Sequence, residues 1–211
     1  MPVCLEPPSQ QIHQKIGVLE TRGSEKALFF FKRRMEFNYS LRSEVRGVAL
    51  AMNRRAELKK GDIQKRVLIQ APAAIVFSAL TDARDLVRWF CDRASSDPRE
   101  GGELNAYWKS GKAGIKGRAR YVRIDPDSAV DLLWIDDGQG VSTENATHTL
   151  SYSIRPRSNT SEVIMCDRDD TTLDEDALAL LDSGWNSVLL ALKDFCERKA
   201  RANKPHPSED T

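Results

Sequence analysis

The sequence predicts an α+β domain in which a curved antiparallel sheet closes on one long C-terminal helix. Three observations predict it. From Asp174 to Ala200, the apolar residues Leu178, Leu181, Trp185, Val188, Leu189, Leu192 and Phe195 recur at spacings of three and four, the period of one amphipathic helix. Ahead of that segment, five short stretches between residues 103 and 167 read as strands divided by turn residues. Ahead of those, one alternating stretch is followed by two short helical patterns. An apolar stripe as long as that of the final helix needs one continuous apolar partner, and the strands supply it.

The elements follow in chain order. Residues 1–61 hold no helical or strand period long enough to define an element and read as a poorly structured basic leader. Two other readings of this segment are an upstream extension that ends before Met52, and a short membrane-surface helix at the phenylalanines beside Lys32, Arg33 and Arg34. Order begins at Asp62, where Ile63, Val67 and Ile69 alternate with polar residues as a first strand. Ala71-Pro72 breaks the strand and opens a helix over 73–80, with proline where its missing N–H does no harm. Thr81-Asp82 interrupts that helix and caps a second one, whose apolar members are Leu86, Trp89 and Phe90. Residues 95–102, SSDPREGG, read as a loop, and Gly101-Gly102 provide backbone angles that other residues resist.

Strands are then predicted over 103–109, 115–124, 129–135, 147–154 and 161–167, with connections short enough for an antiparallel meander. Thr172 and Glu175 have the spacing of a capping box for the final helix. Gly184 costs a helix interior about 1 kcal/mol relative to alanine. Its place beside Trp185 therefore points to close approach of helix and sheet. Pro205 and Pro207 lie past the helix end, in a polar tail over 201–211. The domain is thus expected at 62–200.

The bulk composition narrows the function classes. The chain has 211 residues, is 40% hydrophobic and 30% charged, and carries a formal net charge of +1. That profile predicts a soluble, cytoplasmic globular protein with no general attraction for nucleic acid. Residues 1–60 hold 12 Lys and Arg against 6 acidic residues, so the remaining 151 residues are mildly acidic. Cys4, Cys91, Cys166 and Cys196 form no CxxC pair, and MPVCLEPPSQQ lacks the pattern of a signal peptide. Free thiols in a reducing compartment are expected. The cysteines and His13, His148 and His206 lack metal-ligand spacing, so neither a metal nor a cofactor is expected. The apolar run at 27–31 is too short for a membrane span.

Three separated motifs in a fixed order carry a family resemblance. IQKRVLIQAPAAIVFSALTDARDLVRWF, DPREGGEL and GWNSVLLALKDF together resemble the START-like (SRPBCC) superfamily, and most of all its branch of activator of heat-shock protein 90 ATPase homologues. The resemblance covers about residues 62–200. It implies the helix-grip fold, with a cavity between sheet and C-terminal helix where members bind lipids, polyketides or other hydrophobic small molecules. Some relatives are cyclases or dehydratases. Eukaryotic activators share only this C-terminal domain, and the asparagine-rich, Trp-containing motif of their N-terminal domain is missing from residues 1–61.

Trp108, Trp134, Tyr152 and Trp185 fall on the apolar faces of three strands and the long helix. They are read either as core filling or as the flat aromatic wall of a cavity for a hydrophobic or ring-containing ligand. His148 shares the face of Leu150 and Tyr152 and is placed to accept or donate a hydrogen bond at a cavity mouth. No second group completes a catalytic set, so no catalytic residue is assigned. The acidic pairs Asp136/Asp137 and Asp169/Asp170 sit beside turn residues and read as turn chemistry. The expected function is binding of a hydrophobic small molecule. A protein-interaction module or chaperone cofactor is the second reading. A cyclase or dehydratase is the third, and it needs a polar pair inside the cavity.

Overall fold

A computed structural model describes residues 59–60, 62–109, 114–136, 148–168, 172–173 and 175–203. The first long strand is β2 (Ile63–Ile69), preceded by the two-residue β1 (Lys59–Lys60). Helices α1 (Ala73–Thr81) and α2 (Ala83–Trp89) follow. Then come β3 (Arg93–Ser96), β4 (Glu103–Trp108), β5 (Ile115–Asp125), β6 (Ala129–Asp136), β7 (His148–Arg157) and β8 (Thr160–Arg168). The two-residue β9 (Thr172–Leu173) leads to α3 (Glu175–Ala202).

Seven strands form one antiparallel sheet in the order β2-β8-β7-β6-β5-β4-β3, while β1 pairs with β9. From β3 to β8 each strand pairs with the next in sequence, the meander that the short connections predict. β2 closes the far edge against β8, with Val67 opposite Val163. The two helices between β2 and β3 carry the chain from one sheet edge to the other. With the sheet curved on α3, this is the helix-grip α+β fold.

The stripe on α3 is buried as its spacing requires. Leu181, Trp185, Val188, Leu189, Leu192 and Phe195 all lie in the core, joined by Ala191 and Cys196. Glu175 and Asp176 in the first turn and Lys199 and Arg201 in the last oppose the helix dipole at both ends. The C-terminal half of α3 is tied down by polar contacts. Lys193 Nζ donates to the Leu68 carbonyl (2.7 Å) and to Glu197 (2.5 Å), and Glu197 accepts from the Gln70 backbone N–H (2.9 Å). Near the helix end, Lys199 pairs with the buried Asp85 of α2, and Ser78 of α1 donates to the same carboxylate (2.6 Å).

Local signals mostly act as read. Asp82 caps α2 by accepting from the Arg84 backbone N–H at 2.7 Å. The Arg84 guanidinium, and then that backbone bond, hold its carboxyl below the usual range. Gly101 has φ +78°. At Gly102 a Cβ would lie 2.0 Å from the Asp97 carbonyl oxygen, so the loop passes only with glycine there. Gly184 is half-buried.

Two local expectations are corrected. Residues 93–96 form a strand, although SSDPREGG reads as loop from Ser95 onward. β3 is an edge strand with little apolar content, held by its ladder to β4 and by Ser96 Oγ, which donates to the Thr81 carbonyl (2.6 Å). Thr172 does not stand at the N-cap position of α3. It pairs with Lys60 in β9, and α3 begins three residues later at Glu175, which puts the N-cap position at 174 and leaves Thr172 two positions too far back. The leader before Lys59, the Asp137, Asp169 and Asp170 turns and the tail beyond Asn203 lie outside the described residues.

Candidate functional site between the sheet and the long helix

Alternation along each strand decides which side chains meet α3. On β4, Leu104, Ala106 and Trp108 point inward. On β6 and β7 the inward set is Val130, Leu132 and Trp134, with Leu150, Tyr152 and Ile154. Trp134 is the register partner of His148, and Leu132 that of Leu150. Gly117 on β5 leaves room for two of these rings, since a Cβ there would come within 2.9 Å of Trp134 and 3.1 Å of Trp108.

All four aromatic residues singled out in the sequence therefore share one interior. Trp108 is 0% exposed, Trp185 1%, Trp134 3% and Tyr152 4%. They belong to a single apolar cluster that runs from α1 and α2 to α3. Trp108 is fixed at the edge of this interior, donating its indole N–H to the Phe90 carbonyl (2.7 Å) and packing edge-on against the Phe90 ring at 5.2 Å. Trp108 thus has its polar atom spent on the fold. His148 heads β7, and its side chain lies outside the described residues.

The structure adds a residue that the sequence reading passed over. Asp167 on β8 is 0% exposed, and its Oδ2 accepts the Trp185 indole N–H at 2.7 Å. Asp167 faces Leu150 across the ladder, and Tyr152 is partnered with Met165 two residues along. Tyr152 and Asp167 are thus diagonal neighbours on the inner face. Burial pushes the Tyr152 phenol well above its ordinary range, and the Asp167 charge pushes it further. Tyr152 stays protonated and can act only as a neutral hydroxyl. The signal was legible: Val163, Met165 and Asp167 share one parity on β8, so a carboxylate occupies an inward position of an alternating strand.

This arrangement joins aromatic walls to a buried acceptor. A carboxylate taken from water into an apolar interior costs several kcal/mol unless it is well bonded. Trp185 carries the bond that connects it to α3, and Lys65 with Asp182 (2.6 Å) ties the same stretch of helix to β2 at the surface. The first half of α3 is thus held by different contacts from the second half.

Cys91 and Cys196 contribute no nucleophile. Burial pushes both Cys91 and Cys196 up to about 12, so both stay protonated at neutral pH. Among the described residues, no group of three His, Cys, Asp or Glu side chains is placed to hold a metal, and no helix is long and apolar enough to cross a membrane.

The model of the family described as Activator of Hsp90 ATPase homolog 1-like protein matches residues 70–197. No curated protein matches the chain. Among solved structures, MLL2253 from Mesorhizobium loti superposes with a TM-score of 0.53 at 15% identity, covering 65% of this chain and 97% of its own. The Aha1 dimer from Colwellia psychrerythraea superposes with a TM-score of 0.52 at 19% identity, covering 64% and 96%. DynU16, a protein in the dynemicin biosynthetic locus, gives 0.54 at 15% identity over 67% of this chain and 49% of its own. These likenesses are of fold.

Proposed function

The chain belongs to the Activator of Hsp90 ATPase homolog 1-like family, and within it we propose that this domain binds a hydrophobic small molecule between the sheet and α3. The observation that carries the reading is Asp167, a fully buried carboxylate beneath the long helix that meets an indole N–H of that helix. Trp134, Tyr152 and Trp185 supply flat apolar surface around it. A ligand with an apolar ring or chain and one hydroxyl or N–H donor suits that combination, because the donor would satisfy the carboxylate when Trp185 moves aside. The residues around Asp167 are closed to solvent in this state. On this reading a ligand enters as the first half of α3 lifts and the Trp185–Asp167 bond opens, while the Lys193, Glu197 and Lys199 contacts keep the second half in place.

Native mass spectrometry tests this with a panel of neutral lipids, long-chain alcohols and polyketide-like phenols. The wild-type chain should retain a stoichiometric adduct, and Asp167→Asn, checked for folding by circular dichroism, should weaken it about tenfold by removing a charged acceptor. An unliganded mass across the whole panel would contradict the proposal. The second reading, a protein cofactor of a chaperone, rests on the family description alone. Recovery of a chaperone by the unliganded chain, with no adduct from the panel, would favour it.

A further inference from the structure

On the opposite face of the sheet, β3, β4 and β5 leave an open groove of about 600 Å³. Its walls follow from register. Arg93, Tyr107 and Lys116 form one row across the three strands, and Ser95, Asn105 and Arg118 form the next. Between the rows run Ala94, Ala106 and Gly117, so small residues separate the two sets of longer side chains. Gly117 carries no side chain and would direct a Cβ to the Trp134 and Trp108 rings, which sets its neighbours Lys116 and Arg118 outward.

The charge of this groove is one-sided. Three cations line it and no carboxylate does. Six other arginines of the domain, Arg66, Arg84, Arg99, Arg123, Arg155 and Arg157, each pair with an acidic side chain. Arg93, Lys116 and Arg118 make no ion pair among the described residues. The Arg118 Nε is buried and has no hydrogen-bond partner there. An incoming anion would give that desolvated guanidinium N–H a charged acceptor.

The groove is also held in shape. The Arg93 guanidinium stacks on the Tyr107 ring, 4.2 Å from its centroid, which orients its fork. Tyr107 in turn lies against Gly114, where φ is +68° and a Cβ would come within 2.3 Å of the phenol oxygen. Only glycine gives the ring this position at the start of β5. Ser95 and Asn105 add neutral hydrogen-bonding groups to the lining.

We propose that this outer-face groove binds the oxyanion group of a small ligand, a phosphate or a carboxylate, clamped between Arg93, Lys116 and Arg118. The site is independent of the interior reading, since it uses the other face of the sheet. Inorganic pyrophosphate and citrate are the two probes, titrated into the ¹⁵N-labelled full chain while backbone amides and arginine Nε resonances are followed. Saturable shifts confined to Ala94, Ala106, Gly117 and the Arg118 Nε are expected for one probe or both, and the stronger of the two identifies phosphate or carboxylate as the source. Arg118→Gln should lower the affinity about tenfold. Because that side chain is partly buried, the exposed Lys116→Gln is the second variant, and it should weaken binding with an unchanged Tm. Shifts scattered over the basic surface, or affinity unchanged in both variants, would overturn the proposal. So would a single-stranded oligonucleotide that binds the groove more tightly than pyrophosphate does.

Discussion

Replacing Trp185 with alanine is expected to destabilise the domain by about 4 kcal/mol, within the usual range for emptying a buried aromatic position. Two losses combine. The indole is 1% exposed in the core, so its removal opens a cavity under α3. It also removes the N–H that meets Asp167 at 2.7 Å, leaving a buried carboxylate short of a donor. Trp185→Phe separates the two, since it keeps most of the apolar area and loses only the N–H. That variant is expected to cost about 1–3 kcal/mol, the penalty for stranding one buried polar group. Urea denaturation of the three chains checks both values. Equal stability of Trp185→Phe and wild type would show that the indole–carboxylate bond contributes nothing.

The second large effect is expected at the other end of the same helix. Lys199→Ala removes the cation that pairs with Asp85, a residue 6% exposed that otherwise keeps, among the described residues, the Ser78 hydroxyl. Breaking a buried pair on one side strands the remaining charge, and a loss of about 3 kcal/mol follows. Lys199 keeps some solvent contact, which places the value at the low end of that range. The double variant Lys199→Ala/Asp85→Asn should recover part of the loss, because no unpaired charge then remains buried. If the double variant is no more stable than Lys199→Ala, the contribution is packing of the lysine stem and not the pair. The consequence reaches function, since this clamp keeps the second half of α3 seated while the first half is proposed to lift.

Much of this architecture was legible in the sequence because burial imposes a period on each element. The seven apolar positions of α3 all point to the sheet side, from half-buried Leu178 to buried Phe195. The alternation in β2 and β7 predicted their inner faces, and so placed Tyr152 correctly among the core residues. β3 left no such mark. Arg93–Ser96 is a strand through backbone pairing with β4 at a sheet edge, where side chains need not be apolar. The Thr172 cap failed for a related reason, since three-residue spacing alone does not show that the chain is paired with Lys60 there.

The polar interior was harder to read than the apolar one. Asp85 and Lys199 are 114 residues apart, and nothing local marks them as partners. Asp167 carries a local mark, its parity with Val163 and Met165, but an acidic residue near a strand end also fits a solvated turn. The structure separates these cases by burial. It brings the four aromatic candidates into one cluster and sets Asp167 diagonal to Tyr152 on the same face. The basic groove was invisible for the same reason: Arg93, Tyr107, Lys116 and Arg118 become neighbours only through register.

The most direct test of the account follows the indole N–H resonance of Trp185 while the ¹⁵N-labelled chain is titrated with 2-naphthol, a flat apolar molecule with one hydroxyl donor. On the proposed reading, a ligand that enters between the sheet and α3 takes the place of Trp185 on Asp167. The resonance should then shift saturably, with smaller changes at Trp134, and an Asp167→Asn chain should need about tenfold more ligand for the same response. A Trp185 resonance that stays fixed through saturating 2-naphthol, with the indole still bonded to Asp167, would contradict the proposed binding site.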